Sequence, residues 1–119
     1  MMARETLFVL RRGFTDKGKP WFCPFAAQVE GMLSFYPELR ETLEIVEIDF
    51  PKPREAVVEL LGEDHQSTPV LVLHPDSPSE ADGVKITEAN GHRFIEKTMD
   101  IMSYLAVTRG VPRPHPPKS

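Results

Sequence analysis

Cys23 is the only cysteine in the chain, and it stands in the run Trp21-Phe22-Cys23-Pro24-Phe25-Ala26, where an irregular entry gives way to a helix. Pro24 suits the first helical turn, where the intrahelical ladder needs no N–H. A thiol just ahead of that turn faces unpaired backbone N–H groups and the positive end of the helix dipole. Both favour the thiolate, the nucleophilic form of sulfur. The chemistry on offer is attack by sulfur, with a mixed disulfide as the natural target. The opposing reading makes Cys23 a small buried hydrophobe. Four cations, Arg11, Arg12, Lys17 and Lys19, precede it. They either support the thiolate and bind the carboxylates of an anionic thiol such as glutathione, or form a solvated basic loop. Trp21 and Phe22 either line a substrate groove or pack beneath that loop.

Other titratable groups offer less. His65, His74, His92 and His115 share no metal-ligand spacing, and no cysteine pair accompanies them, so no metal is expected. His65 is the histidine best placed to pair with Cys23. Glu47 and Asp49 lie in a strand pattern whose alternation sends them to solvent or to the strand end.

The elements that must position Cys23 follow from hydrophobic pattern. Thr6 to Leu10 reads as a buried strand and residues 11–22 as a loop. Phe25, Val29, Met32, Leu33 and Tyr36 recur at helical spacing, with Pro37 at the end. Ile45 to Phe50 reads as a strand. Pro53 fits the start of a second helix, with Ala56, Val57, Leu60 and Leu61 as its apolar residues and Gly62 as its cap. Pro69 to Leu73, opened by Ser67-Thr68, reads as a central strand. Residues 74–85 form a loop. Asn90-Gly91 marks a two-residue hairpin turn. A last helix spans about Lys97 to Arg109, burying Ile101, Met102 and Leu105 and ending at Gly110. Residues 1–110 make one domain, and the proline-rich 111–119 an extended, mobile tail.

The chain has 119 residues, enough for one core. Its net charge of −4 argues against a nucleic acid partner. No apolar stretch approaches the ~18 residues of a membrane span, and the N-terminus does not resemble a secretory signal. A lone cysteine fits a reducing cytoplasm.

Cys23-Pro24-Phe25, Thr68-Pro69-Val70 and the final helix with Ile101-Met102-Ser103-Tyr104-Leu105 resemble the thioredoxin-like superfamily, nearest the glutaredoxins and the N-terminal domains of glutathione transferases. More closely, the chain is similar to a small bacterial thioredoxin-like family of unknown function. Trp21-Phe22-Cys23-Pro24, Gln28 to Leu33, Phe35 to Leu39, Pro51-Lys52-Pro53-Arg54 and Gly91-His92-Arg93-Phe94 carry that likeness. The resemblance implies an α/β thioredoxin-like fold with a mixed four-stranded sheet and helices on both faces. It implies a cis Thr68–Pro69 bond, Cys23 as the catalytic residue, and Trp21, Phe22, Pro24, Thr68, Pro69, Lys19 and Arg12 around the substrate. Ala26 fills the place of the second cysteine of redox-active relatives. Lys19 lies near the lysine that glutaredoxins place before their cysteine, whereas their Gly-Gly-x-Asp segment is absent.

Three functions remain open on these residues. The first is a monothiol thiol–disulfide oxidoreductase with glutathione as co-substrate. The second is a redox-inactive module that binds a protein or peptide. The third is an iron–sulfur cluster bridged by glutathione between two subunits, against which Pro24 argues because it removes a backbone donor. Expected partners are glutathione, a protein or peptide thiol, and a second copy of the chain.

Overall fold

The computed structural model describes residues 4–116. Residues 1–3 and 117–119, the outer ends of the expected domain and tail, lie outside the described residues. Along the chain come β1 (Glu5–Leu10), β2 (Phe14–Asp16), β3 (Lys19–Trp21), α1 (Pro24–Phe35), a 3-10 segment (Pro37–Thr42) and β4 (Leu43–Ile48). They are followed by α2 (Glu55–Leu61), β5 (Val70–Val72), β6 (Thr87–Ala89), β7 (His92–Ile95) and α3 (Thr98–Arg109).

The architecture is α/β. The main sheet has five strands in the order β4-β1-β5-β7-β6, and β2 and β3 form a separate two-stranded sheet. This corrects the expected four strands: both arms of the Asn90-Gly91 hairpin join the sheet, with Ala89 opposite His92. β1 and β4 are parallel, as their connection through α1 requires. The other neighbours are antiparallel, and β5 is central as expected.

Strand alternation sorts the core into two layers. Leu7, Val9, Leu71, Leu73 and Ile95 pack with α1 and α3. Phe8, Leu10, Val70, Val72 and Phe94 pack with Val57 and Leu61 of α2. Helices therefore cover both faces. The buried residues of α1 are Ala26, Val29, Met32 and Leu33. Phe25, expected on that face, is 55% exposed. It lies one residue, and so ~100° of helix turn, from Ala26, which takes the inward position. Of the residues expected inside α2, Val57 and Leu61 are buried, Leu60 is half-buried and Ala56 is exposed.

Two further expectations are corrected. Residues 11–22 are not a loop: Phe14 pairs with Trp21 and Asp16 with Lys19 across a Lys17-Gly18 turn. Both turn residues have positive φ, 53° and 76°, which suits the right-handed twist of a short hairpin. The second helix starts at Glu55 with Arg54 as its N-cap, not at Pro53.

The end of the sheet marked by the start of β1 and the close of α3 is held by a polar cluster. Glu5 is buried, pairs with Arg109, and accepts a hydrogen bond from Ser77 Oγ at 2.6 Å. Tyr104 OH donates to Pro78 O at 2.8 Å, and Arg93 donates to His74 O at 2.8 Å. These bonds fasten the long 74–86 connection. Val111 packs against the core, and Arg113 donates to Asp82 O at 3.0 Å, so the first part of the tail lies along the body.

Candidate functional site

Cys23 is the N-cap of α1, with an extended backbone (φ −78°, ψ 117°) and no capping bond from its side chain. The thiol is free and partly exposed, and it touches both core layers. A cleft of about 410 Å³ opens beside it. It is lined by Cys23, Phe22 and Ala26 together with Arg12, Val9 and Glu47. An ion pair between Arg40 and Glu30, 2.8 Å long, also borders it. Glu47 is exposed on β4, as strand alternation predicts, and Asp49 is exposed and paired with Arg11 at 3.2 Å.

A second cleft, of about 780 Å³, is lined by Phe25 and Gln28 of α1, by Ser67 and Thr68, and by Glu96 and Thr98 at the start of α3. The Thr68–Pro69 bond is cis, as the resemblance implied. Thr68 Oγ1 is buried and has no hydrogen-bond partner, so a polar atom is left unsatisfied beside this cleft. The two clefts share no lining residue, and they are reached from successive residues of the same helix start. His65 is engaged elsewhere than expected. Its Nδ1 lies 3.5 Å from Glu96 Oε2 and its ring meets Phe94 edge-on, and no hydrogen bond joins it to Cys23.

The β2–β3 hairpin is anchored by Phe14, whose ring stacks on Phe50 with centroids 4.4 Å apart. Trp21 Nε1 donates to Asp16 O at 2.8 Å, which lays the indole along the hairpin. Trp21 is 48% exposed and Phe22 63%. Phe22 lines the cleft beside Cys23, while Trp21 is held to its own hairpin. Of the expected site residues, Arg12 and Phe22 meet Cys23 in the first cleft, and Thr68 lines the second. Lys19 and Trp21 stand on the hairpin, Pro24 is exposed in the first turn of α1, and Pro69 is buried ahead of β5.

Arg54 is the residue the sequence did not bring to the site. Its Nε and Nη2 donate to Phe50 O at 3.0 and 2.9 Å, and Nη1 donates to Gln66 O at 2.9 Å. Its backbone N–H donates to Gln66 Oε1 at 2.9 Å, and its guanidinium lies 5.6 Å from the Phe50 ring centroid. Burial holds its proton affinity below the ordinary arginine range, while the charge of Cys23 acts in the opposite sense. The four cations that precede Cys23 in sequence are all exposed.

A family model described as a protein of unknown function (DUF3088) matches residues 4–113. The chain belongs to the DUF3088 family. No curated protein and no solved structure matches it. Among the described residues of this DUF3088 protein, no three His, Cys, Asp or Glu side chains are grouped to hold a metal ion. No helix among them is long and apolar enough to cross a membrane.

The sequence signal for Arg54 was weak. It stands in Pro51-Lys52-Pro53-Arg54, a segment that carried the family resemblance, but nothing in its spacing ties it to Cys23. Glu47 reaches the cleft through the parallel pairing of β4 with β1, and Arg40 through its ion pair with Glu30 of α1, neither of which local spacing reveals.

Proposed function

We propose that this DUF3088 protein is a thioredoxin-like monothiol oxidoreductase that exchanges glutathione mixed disulfides. The parallel β1-α1-β4 unit, the antiparallel strands that follow, the closing helix and the cis proline before β5 support the fold assignment. The observation that carries the reaction is Cys23 itself: a free, partly exposed thiol at the start of a helix, beside a cleft that Arg12 also lines. Unpaired N–H groups and the positive end of the dipole are general features of a helix start that suit attack by sulfur.

The reaction runs in two exchanges. The Cys23 thiolate attacks the glutathione sulfur of a mixed disulfide, a new S–S bond forms to Cys23, and the substrate leaves as a thiolate that takes a proton. A second glutathione, as its thiolate, then attacks the glutathione sulfur held on Cys23. Glutathione disulfide leaves and the Cys23 thiolate returns. The substrate sulfur is reduced, and the one free glutathione consumed is oxidised into the glutathione disulfide, whose other half came from the substrate. Ala26, at the position of a resolving cysteine, makes the second glutathione necessary. A reducing cytoplasm is the compartment in which this cycle runs.

The test is turnover of a glutathionylated substrate, followed by release of glutathione disulfide. Catalysis by the wild type that Cys23→Ser abolishes supports the proposal. A wild-type rate equal to the uncatalysed one contradicts it. The buried Ala26 then favours the second reading, a redox-inactive module that binds a protein or peptide.

A further inference from the structure

The β2–β3 hairpin interrupts the connection between β1 and α1 and stands outside the main sheet. With its flanks it carries Arg11, Arg12, Lys17 and Lys19 against one acid, Asp16, in a chain whose net charge is −4. All four cations are exposed, and only Arg11 is drawn into an ion pair, with Asp49. At the end of the hairpin Trp21 and Phe22 are 48% and 63% exposed. Large aromatics exposed together beside positive charge mark a surface that binds something. The stacking of Phe14 on Phe50 fixes the hairpin to the body, so this surface is largely pre-formed.

We infer that this face docks an acidic segment of a partner polypeptide. Charge complementarity chooses the occupant: a basic strip on an acidic protein attracts an acidic chain and repels a basic one. The aromatics supply apolar contact area at small entropic cost. A nucleic acid is also a polyanion, and the test below separates it from an acidic polypeptide. The inference names the partner for the site proposed above; it rests on that reading for the chemistry that follows docking, but not for the docking itself.

Trp21 is the only tryptophan, and it stands on the hairpin, so its fluorescence reports binding directly. The probe is a blocked peptide of Asp-Glu-Ala-Glu repeats that contains no cysteine or tryptophan, titrated into the full-length protein. The controls are the same peptide with amides in place of acids, and single-stranded oligo-dT. The acidic peptide is expected to bind about tenfold more tightly than its amide form at low salt, and to lose that advantage near 0.5 M salt. The Lys17→Glu, Lys19→Glu double variant should weaken it by a further tenfold or so, whereas the wild-type salt titration needs no folded variant. Equal affinity for the acidic and amide peptides overturns the inference, and so does tighter binding of oligo-dT. Because the probe carries no sulfur, peptide binding without disulfide turnover upholds the docking surface and removes only the oxidoreductase.

Discussion

The charge of Cys23 bears on Arg54, thirty-one positions on in sequence, raising its proton affinity against the larger effect of burial. The cation is not a mobile surface charge. Three of its side-chain bonds go to the carbonyls of Phe50 and Gln66, which locks it where the segment after β4 meets the one after α2. Arg54 therefore both ties these segments together and places a fixed positive charge between them. Replacing Arg54 with Ala removes both functions. Alkylation of Cys23 should become several-fold slower at neutral pH, and stability in urea should fall by about 2 kcal/mol from the lost carbonyl bonds. Arg54→Lys separates the two, keeping most of the reactivity but not the stability. Equal alkylation rates in all three proteins would dissociate Arg54 from the thiol.

Ala26 lines the same cleft as Cys23 and stands one helical turn on. It is buried, and cysteine is a small side chain that tolerates burial. The Ala26→Cys variant should therefore close a disulfide with Cys23 under mild oxidation, seen by intact mass as the loss of two hydrogens and of both alkylation sites. A variant that stays fully alkylatable would show that the two side chains diverge.

Arg109 and Glu5 test the polar cluster at the other end of the fold. Both side chains are largely buried, and Glu5 also accepts from Ser77. Arg109→Met leaves a buried carboxylate without its cation and should cost about 3–5 kcal/mol of stability. Replacing both residues with Met should cost less than Arg109→Met alone, because no charge is then stranded. Urea denaturation of the three proteins decides, and additive losses would mean that the pair is not coupled.

Tyr104 gives the fold an alkaline limit. Its phenol is pushed above the ordinary range, first by burial and then by the charge of Glu5. The folded state therefore holds this proton more tightly than the unfolded chain. Its contribution is complete below the unfolded pKa of about 10 and is lost as pH rises through the higher folded value. Urea midpoints should fall above pH ~10 in the wild type and less steeply in Tyr104→Phe. At neutral pH that variant should lose only about 1 kcal/mol, for the bond to Pro78. Identical alkaline slopes would assign the limit to other groups.

What was legible in the sequence was what periodicity and turn chemistry encode. The Pro69–Leu73 run, the Asn90-Gly91 turn and the stop at Gly110 each rest on a local signal, and each stands where expected. Phe25 was misplaced because Ala26, a residue with little hydrophobic weight, takes the inward position. The β2–β3 hairpin was missed because its turn puts Lys17, not the usual Asn or Asp, at positive φ. Cys23 and its helix start could be read directly. The bonds that fix Arg54 could not, because they depend on how the segments after β4 and α2 fold back together.

The central claim is that Cys23 is a nucleophile that glutathione can load and unload. The most direct measurement is the rate of Cys23 alkylation from acid to alkaline pH, by intact mass, with glutathione disulfide as competitor. The account predicts fast alkylation at neutral pH, protection by a single glutathione adduct, and removal of that adduct by reduced glutathione. Alkylation no faster than that of a free cysteine, with no adduct formed, would contradict it.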